Sequence, residues 1–187
     1  MVDIDSQQGR ALKLKSIKLL HAIKLYDAPQ IEALLDDSFP IETPVTDTNL
    51  PALSAACIYV FEPQHIQIFS AILKRGASVL SADVMGRTPL HIAAVSGNPL
   101  AVQVLTQQPG IKLNAFTSSV ETPVHLAVRS GCVKTVATVL KVGCYPFYYN
   151  GMGQSTLDLV DLLFPGSGMR AVIQQVIEQY KQQVPKE

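Results

Sequence analysis

Two kinds of side chain in this sequence could carry chemistry, histidine and cysteine. His91 and His125 lie 34 positions apart, and Cys132 follows His125 by seven residues. A thiol beside an imidazole can act as a nucleophile, and the same two residue types bind zinc. However, no nucleophile motif, phosphate-binding loop or carboxylate pair accompanies them. Cys57, Cys132 and Cys144 are odd in number and form no CxxC pair, which argues against a zinc site and a disulfide framework. We therefore expect no catalytic residue, no metal and no cofactor.

Composition and charge exclude several classes of partner. The 187 residues are 48% hydrophobic and 16% charged, which is enough for a sizeable core in one domain or a short repeat array. Lys plus Arg equals Asp plus Glu, 15 each, so no overall field attracts phosphate or anionic lipid. No apolar run reaches membrane-spanning length. We expect a soluble protein of the cytoplasm, with the nucleus or a cytoskeletal assembly as alternatives, and no nucleic-acid, membrane or small-molecule partner.

The segments around the two histidines repeat one another. TPVHLA at residues 122–127 repeats TPLHIA at residues 88–93 after 34 positions, and GQSTL from Gly153 corresponds to GRTPL from Gly86. A weaker copy, PALSAA, begins at Pro51. This period, with Thr-Pro-Leu-His-x-Ala, is typical of ankyrin repeats, and the sequence resembles that family over most of its length.

The resemblance implies an all-α fold, a solenoid of stacked helix-turn-helix units with projecting hairpin-like loops. We expect a single domain over residues 11–182, with a flexible tail at 1–10 and another at 183–187. Its five predicted units cover about residues 11–42, 49–82, 86–116, 120–149 and 153–182.

The resemblance also assigns structural roles within the motif. Thr88 and Thr122 can cap their helices through the hydroxyl group. His91 and His125 are expected to hydrogen-bond backbone groups and these threonines, so that each ties one loop to the next. Histidines of consecutive repeats lie about 10 Å apart, too far to share a metal. Val120 stands where the motif normally has glycine, and we expect a weakened turn there.

Both ends of the array, and one insertion, depart from the motif. In the first unit, a row of lysines could indicate a membrane-binding or calmodulin-binding helix, but a solvated outer face is favoured; these are Lys13, Lys15, Lys18 and Lys24. Residues 59–63 form an insertion, either a contact surface or a segment that folds back on the second helix. In the last unit Asp158 replaces the histidine, so the tie is absent or remade.

The resemblance implies that the loop tips and the exposed ends of the first helices contact a partner. The mixture of apolar, aromatic and few charged side chains at these positions is typical of a protein-binding patch rather than a phosphate-binding groove. In the loop at 147–149, either Phe147 and Tyr148 pack under the loop and only Tyr149 is exposed, or at least one of the three contacts the partner. The predicted partner-binding residues are Tyr59, Met85, Arg87, Phe116, Glu121, Arg129, Tyr149, Met152 and Leu162.

The leading hypothesis from the sequence is a protein–protein interaction module without catalysis, acting as an adaptor, inhibitor or scaffold through this concave face. The alternative is a constitutive structural subunit of a large assembly, such as a cytoskeletal or ciliary complex.

Overall fold

The computed structural model describes residues 7–183, and the side chains of residues 7–179. This part of the chain contains ten α-helices, a 3-10 turn at Pro63–His65 and no β-strand, as the all-α prediction requires. The helices are α1 (Gln7–Lys24), α2 (Ala28–Leu34), α3 (Ala52–Tyr59), α4 (Gln67–Lys74), α5 (Pro89–Val95), α6 (Pro99–Thr106), α7 (Pro123–Arg129), α8 (Val133–Lys141), α9 (Thr156–Leu163) and α10 (Met169–Gln183).

The helices pair in chain order and stack in two layers. The first helices of the pairs, α1, α3, α5, α7 and α9, pack on one another in sequence. The second helices form the other layer, in which α4 and α6 pack less closely than their neighbours do. Because six of the seven residues of α5 are buried, this helix has no solvent-facing stripe. It is enclosed by α3, α6 and α7, so its residues are apolar on every side except for the hydrogen-bonded His91. The stacked fold predicted from the repeat is confirmed.

The N-terminal boundary differs from the sequence prediction. Residues 7–10, which we expected to belong to a tail, form the first turn of α1, and Gly9 is buried there. A buried glycine adds nothing to a hydrophobic pattern, so this turn leaves no periodic signal in the sequence. Residues 1–6 and 184–187, which make up the rest of the predicted tails, lie outside the described residues.

The insertion in the second unit lies between its two helices. Seven residues separate α3 from α4, whereas three separate α5 from α6. The Tyr26 hydroxyl donates a hydrogen bond to the Tyr59 carbonyl over 3.2 Å, and the rings of Tyr26 and His65 stack 4.2 Å apart. The insertion is therefore attached to the first unit, while Phe61 remains 42% exposed.

Asn98 fixes the other side of the insertion. Its Nδ2 group donates to the carbonyl oxygens of Cys57 and Val60, at 2.9 and 2.7 Å, and its Oδ1 accepts from the Ala101 N–H at the start of α6. Asn98 itself is fully buried. One side chain thus caps a helix of the third unit and bonds to one carbonyl group in the last turn of α3 and another directly after it.

In the last unit, Asp158 and Thr156 replace the histidine. The Asp158 carboxylate accepts hydrogen bonds from the Ser155 N–H and hydroxyl, at 2.8 and 2.7 Å, and these bonds lower the pKa of the carboxyl group. The buried Thr156 hydroxyl donates to the Pro146 carbonyl over 2.9 Å. The tie is therefore remade by Thr156, which connects α9 to the preceding loop.

Within residues 7–183, no helix is long and apolar enough to cross a membrane.

Candidate functional site

Three of the projecting loops share one turn geometry. In each, the N–H of the first residue donates to the carbonyl of the fifth, and the N–H of the fourth donates to the carbonyl of the first. These turns lie at residues 83–87, 117–121 and 150–154. Backbone hydrogen bonds therefore fix the conformation of the loop tips in the unbound protein.

The side chain of the first residue closes each turn. Asp83 Oδ1 accepts from the N–H groups of Met85 and Arg87, at 2.9 and 2.8 Å. Asn150 Oδ1 accepts from the N–H groups two and four residues later, at 3.0 and 2.9 Å. Thr117 plays a reduced version of this role, because its hydroxyl accepts only from the Glu121 N–H. Asp, Asn and Thr suit this position because short polar side chains can reach the following backbone.

The fourth residue of each turn adopts a positive φ, which is +73° at Gly86 and +72° at Gly153. Val120 adopts the same conformation with φ +57°. The turn at Val120 keeps the hydrogen bonds of the other two, so the missing glycine does not change its geometry. The consequence is instead backbone strain, since a β-branched side chain is disfavoured in the left-handed region.

Replacing Val120 by glycine should stabilise the protein. Relief of left-handed strain is worth about 1–2 kcal/mol, and the added freedom of glycine in the unfolded chain offsets roughly half of it. We expect a gain of about 0.5–1 kcal/mol in the free energy of unfolding, measured by urea denaturation. Val84→Gly is the matched control, because Val84 is also exposed at a loop tip but has no positive φ. Equal stability of Val120→Gly and the unmodified protein would contradict the strain argument.

Each motif histidine joins the start of its helix to the next loop. Nδ1 of His91 accepts from the Thr88 N–H over 3.2 Å, so the ring proton lies on Nε2. Nε2–H then donates to the carbonyl oxygens of Ala115 and Glu121, at 3.0 and 3.2 Å. The first helix of the third unit is thereby bonded to both sides of the loop at 117–121.

His125 repeats this arrangement one unit later. Its Nδ1 accepts from the Thr122 N–H over 3.1 Å, and its Nε2–H donates to the Tyr148 carbonyl over 3.0 Å. Burial lowers the pKa of both imidazoles, which keeps them neutral at neutral pH. Because both ring nitrogens are engaged, neither histidine is free to act as a base for the half-buried thiol of Cys132.

The other two cysteines are packed into the interior. Cys57 and Cys144 are buried, and burial raises the pKa of both thiols, to about 12 for Cys144. Across the described residues, no three His, Cys, Asp or Glu side chains come together as a metal site would require.

Neighbouring loops are bonded directly to one another. The Ser118 N–H donates to the Met85 carbonyl over 2.9 Å, and the Gly151 N–H donates to the Ser119 carbonyl over 3.1 Å. A Cβ atom at position 151 would lie 2.7 Å from that same carbonyl oxygen, so only glycine allows this approach. The three tips therefore form one continuous strip, which we call the loop-tip strip, at residues 83–87, 117–121 and 150–154.

Apolar side chains are exposed along the loop-tip strip and beside it. Val84 and Met152 are 89% and 77% exposed, and Met85 is 50% exposed. Phe116 and Tyr149, one residue outside two of the turns, are also exposed. Exposed apolar groups of this number on rigid loops are typical of an interaction surface.

The charged groups of the strip neutralise one another. Arg87 pairs with Asp83 over 2.7 Å, and Arg129 pairs with Glu121 over 2.6 Å. The carboxylates of both pairs are largely buried. A groove of about 430 Å³ lies beside the second pair, with Val120 and Met152 in its wall. The strip therefore offers apolar contact without an uncompensated positive charge.

An aromatic cluster supports the strip at one end. The ring of Tyr148 lies 5.1 Å from the rings of both Phe116 and Tyr145 in edge-to-face geometry. Tyr148 is 37% exposed and Phe147 is half-buried, so the packing of this loop does not leave Tyr149 alone at the surface. Edge-to-face contacts of this kind hold aromatic rings in place.

The structure groups most, but not all, of the predicted partner-binding residues. Leu162 follows Ser155 by the same seven positions that separate Arg129 from Thr122, so it continues the surface to α9, where it is 64% exposed. Tyr59 does not join the strip. It is half-buried at the end of α3, with the Lys24 ammonium group 4.8 Å from its ring centre, and belongs to the anchored insertion.

Sequence reasoning did not identify the roles of Asn98 and Gly151. Both depend on contacts between different units, which leave no local pattern. The sequence does indicate the unusual turn at Val120, because a β-branched residue stands there at a position where the motif has glycine.

Comparison with known proteins agrees with the repeat pattern. A family model described as ankyrin repeats (3 copies) matches residues 19–117 and 81–150. The ankyrin repeat protein nuc-2 of Neurospora crassa is 30% identical over 165 residues, which are 82% of this chain and 15% of that protein. The human B-cell lymphoma 3 protein is 37% identical over 86 residues, 44% of this chain and 19% of that protein. Alpha-latrotoxin-Lh1a of Latrodectus hasselti is 35% identical over 77 residues, 41% of this chain and 6% of the toxin. The chain thus spans less than a fifth of the length of each of these relatives.

Proposed function

The chain belongs to the ankyrin-repeat family, whose repeats generally mediate protein–protein interaction, and from this premise we propose that it docks a protein partner on the loop-tip strip. In this role it is an adaptor, inhibitor or scaffold rather than an enzyme. The observation that carries the proposal is the row of exposed apolar tips on loops that are bonded to one another.

Rigidity of the strip favours binding. Ordering a flexible loop on association costs free energy. All three loops of this strip are already fixed by their turns, and those at 117–121 and 150–154 also by the histidine ties. Met152, in the wall of the groove at Arg129, and the exposed Tyr149 beside the strip offer the large contact area on which binding energy usually concentrates.

The charge of the strip favours a protein partner over nucleic acid. Arg87 and Arg129 are the basic side chains of the strip and its groove, and each is held by its own carboxylate. A phosphate would have to displace Asp83 or Glu121 from its arginine. An apolar protein surface requires no such exchange.

The three cysteines also bear on the cellular compartment in which the protein acts. All three are free thiols, and two of them are buried. Thiols persist in reducing compartments, so we propose a location in the cytoplasm, with the nucleus or a cytoskeletal assembly as alternatives.

The proposal is tested by substituting tip residues and measuring recovery of co-purifying proteins from the native source. Phe116→Ala, Tyr149→Ala and Met152→Asp should each lower recovery of the same partner, by about tenfold where the side chain is a binding hot spot. Gln103→Asp is the matched control, because Gln103 is exposed on α6 in the outer layer. Undiminished recovery of every partner with all three strip variants would contradict the proposal.

A further inference from the structure

Helix α1 is much longer than the other first helices and forms a groove with the loop that follows its unit. It has 18 residues, whereas α3, α5 and α7 have eight, seven and seven. Its N-terminal half lies beside the loop at residues 43–49 and encloses a groove of about 370 Å³. The groove walls are mainly apolar and include Leu12, Ile17 and Val45.

We propose that this groove, with the cationic face of α1 beside it, is a second docking site, which binds a protein segment that combines apolar and acidic side chains. The site is separate from the loop-tip strip, because none of the groove residues belongs to the three turns of the strip.

The charge on α1 indicates the chemistry of the segment. α1 carries five Lys and Arg residues and no Asp or Glu, in a chain whose formal net charge is zero. Lys15 pairs with Asp36 over 2.6 Å, whereas Arg10, Lys13 and Lys18 have no carboxylate partner among the described residues. Leu14 and Ile17 are 54% and 56% exposed between these cations. The sequence alone favoured a solvated outer face for the lysines, and the groove and the exposed apolar pair now give them a binding role.

The opposite wall favours a peptide over a lipid headgroup or a nucleic acid. Lys13 lines the groove from α1, and Asp47 lines it from the loop at 43–49. A peptide can offer a carboxylate to Lys13 and an N–H donor to Asp47, whereas a phosphodiester group has no donor for Asp47.

The test is selection of short random peptides, displayed on phage, against the full chain. We expect enrichment of sequences in which Leu, Ile or Phe is flanked by Asp or Glu. The affinity of a selected synthetic peptide, measured by fluorescence anisotropy, should fall by about tenfold or more with Lys13→Glu and with Ile17→Asp. Lys112→Glu is the matched charge control on a distant exposed lysine, and Met152→Asp controls for the loop-tip strip; neither should change the affinity.

Melting temperatures separate binding from folding. Because Lys13 and Ile17 are both exposed, Lys13→Glu and Ile17→Asp should keep the melting temperature of the unmodified protein while the peptide affinity falls. The proposal is overturned if no acidic-apolar sequence is enriched, or if the selected peptides respond to Met152→Asp instead of Ile17→Asp. It is also overturned if phosphatidylserine vesicles bind in place of peptides, or if the chain forms a dimer that Ile17→Asp dissociates.

Discussion

Replacement of Asn98 by alanine should lower the free energy of unfolding by about 3 kcal/mol. Three hydrogen bonds are lost, and all of them are buried. Loss of the cap at the start of α6 costs about 1 kcal/mol. The carbonyl groups of Cys57 and Val60 are left buried without a donor, which costs about 1 kcal/mol or more each. The effect is large because one side chain serves two units of the stack.

Urea denaturation of Asn98→Ala, followed by circular dichroism, measures this loss. Asn98→Asp separates the two roles, since a carboxylate keeps the helix cap but cannot donate to the carbonyl groups. We expect Asn98→Asp to be nearly as unstable as Asn98→Ala, because the donor carries most of the effect. The exposed Gln103→Ala is the control for substitution itself and should change stability little. A loss below about 1 kcal/mol for Asn98→Ala would contradict the bridging role.

The second large effect is expected at the histidine ties. His91→Ala and His125→Ala should each cost about 1–3 kcal/mol, because the backbone groups that they join lose a partner. His91 should lie at the upper end of this range, since its Nε2–H donates to two carbonyl oxygens and that of His125 to one.

The ties also predict acid sensitivity. Burial lowers the pKa of both histidines from the usual value of 6.5, so the folded state favours the neutral ring. Their contribution to stability is complete above the unfolded-state pKa. It is lost as the pH falls through the lower pKa of the folded state, because the unfolded chain binds protons first.

Melting temperatures from neutral to mildly acidic pH test this prediction. The unmodified protein should lose stability as the pH falls below about 6.5, and the double variant His91→Ala/His125→Ala should lose less over the same range. His21 is exposed, so His21→Ala serves as the control and should keep the pH dependence of the unmodified protein. The same pH dependence in the double variant and the unmodified protein would show that these histidines are not responsible.

The central repeats were predictable because each unit carries its own local signals. The Thr-Pro start of α5 and the identical start of α7 lie one period apart, and their apolar residues follow from burial between neighbouring helices. For these central units, the approximate length of each helix and the order in which the helices stack follow from that repeat alone. The same logic placed the insertion correctly between α3 and α4.

Features that depend on contacts between units could not be derived in this way. The role of Asn98 requires carbonyl groups about 40 residues away, and the role of Gly151 requires the neighbouring loop at Ser119. The groove beside α1 exists only because the first turns of α1 lie against the next loop. The resemblance predicts Tyr59 on the partner face from its position near the end of α3; its contact with the Lys24 ammonium group depends on a neighbouring unit and has no local pattern.

The central claim is that the chain binds a protein partner on the loop-tip strip. Site-specific photo-crosslinking tests this most directly: benzoylphenylalanine is incorporated at Met152 and, in a second protein, at Gln103 on the outer layer. Both positions are exposed, so both probes can react with any protein that reaches them. We predict a crosslinked partner from position 152 and none from position 103. Adducts that form only from position 103 would show that the partner binds the outer helices and would contradict the account.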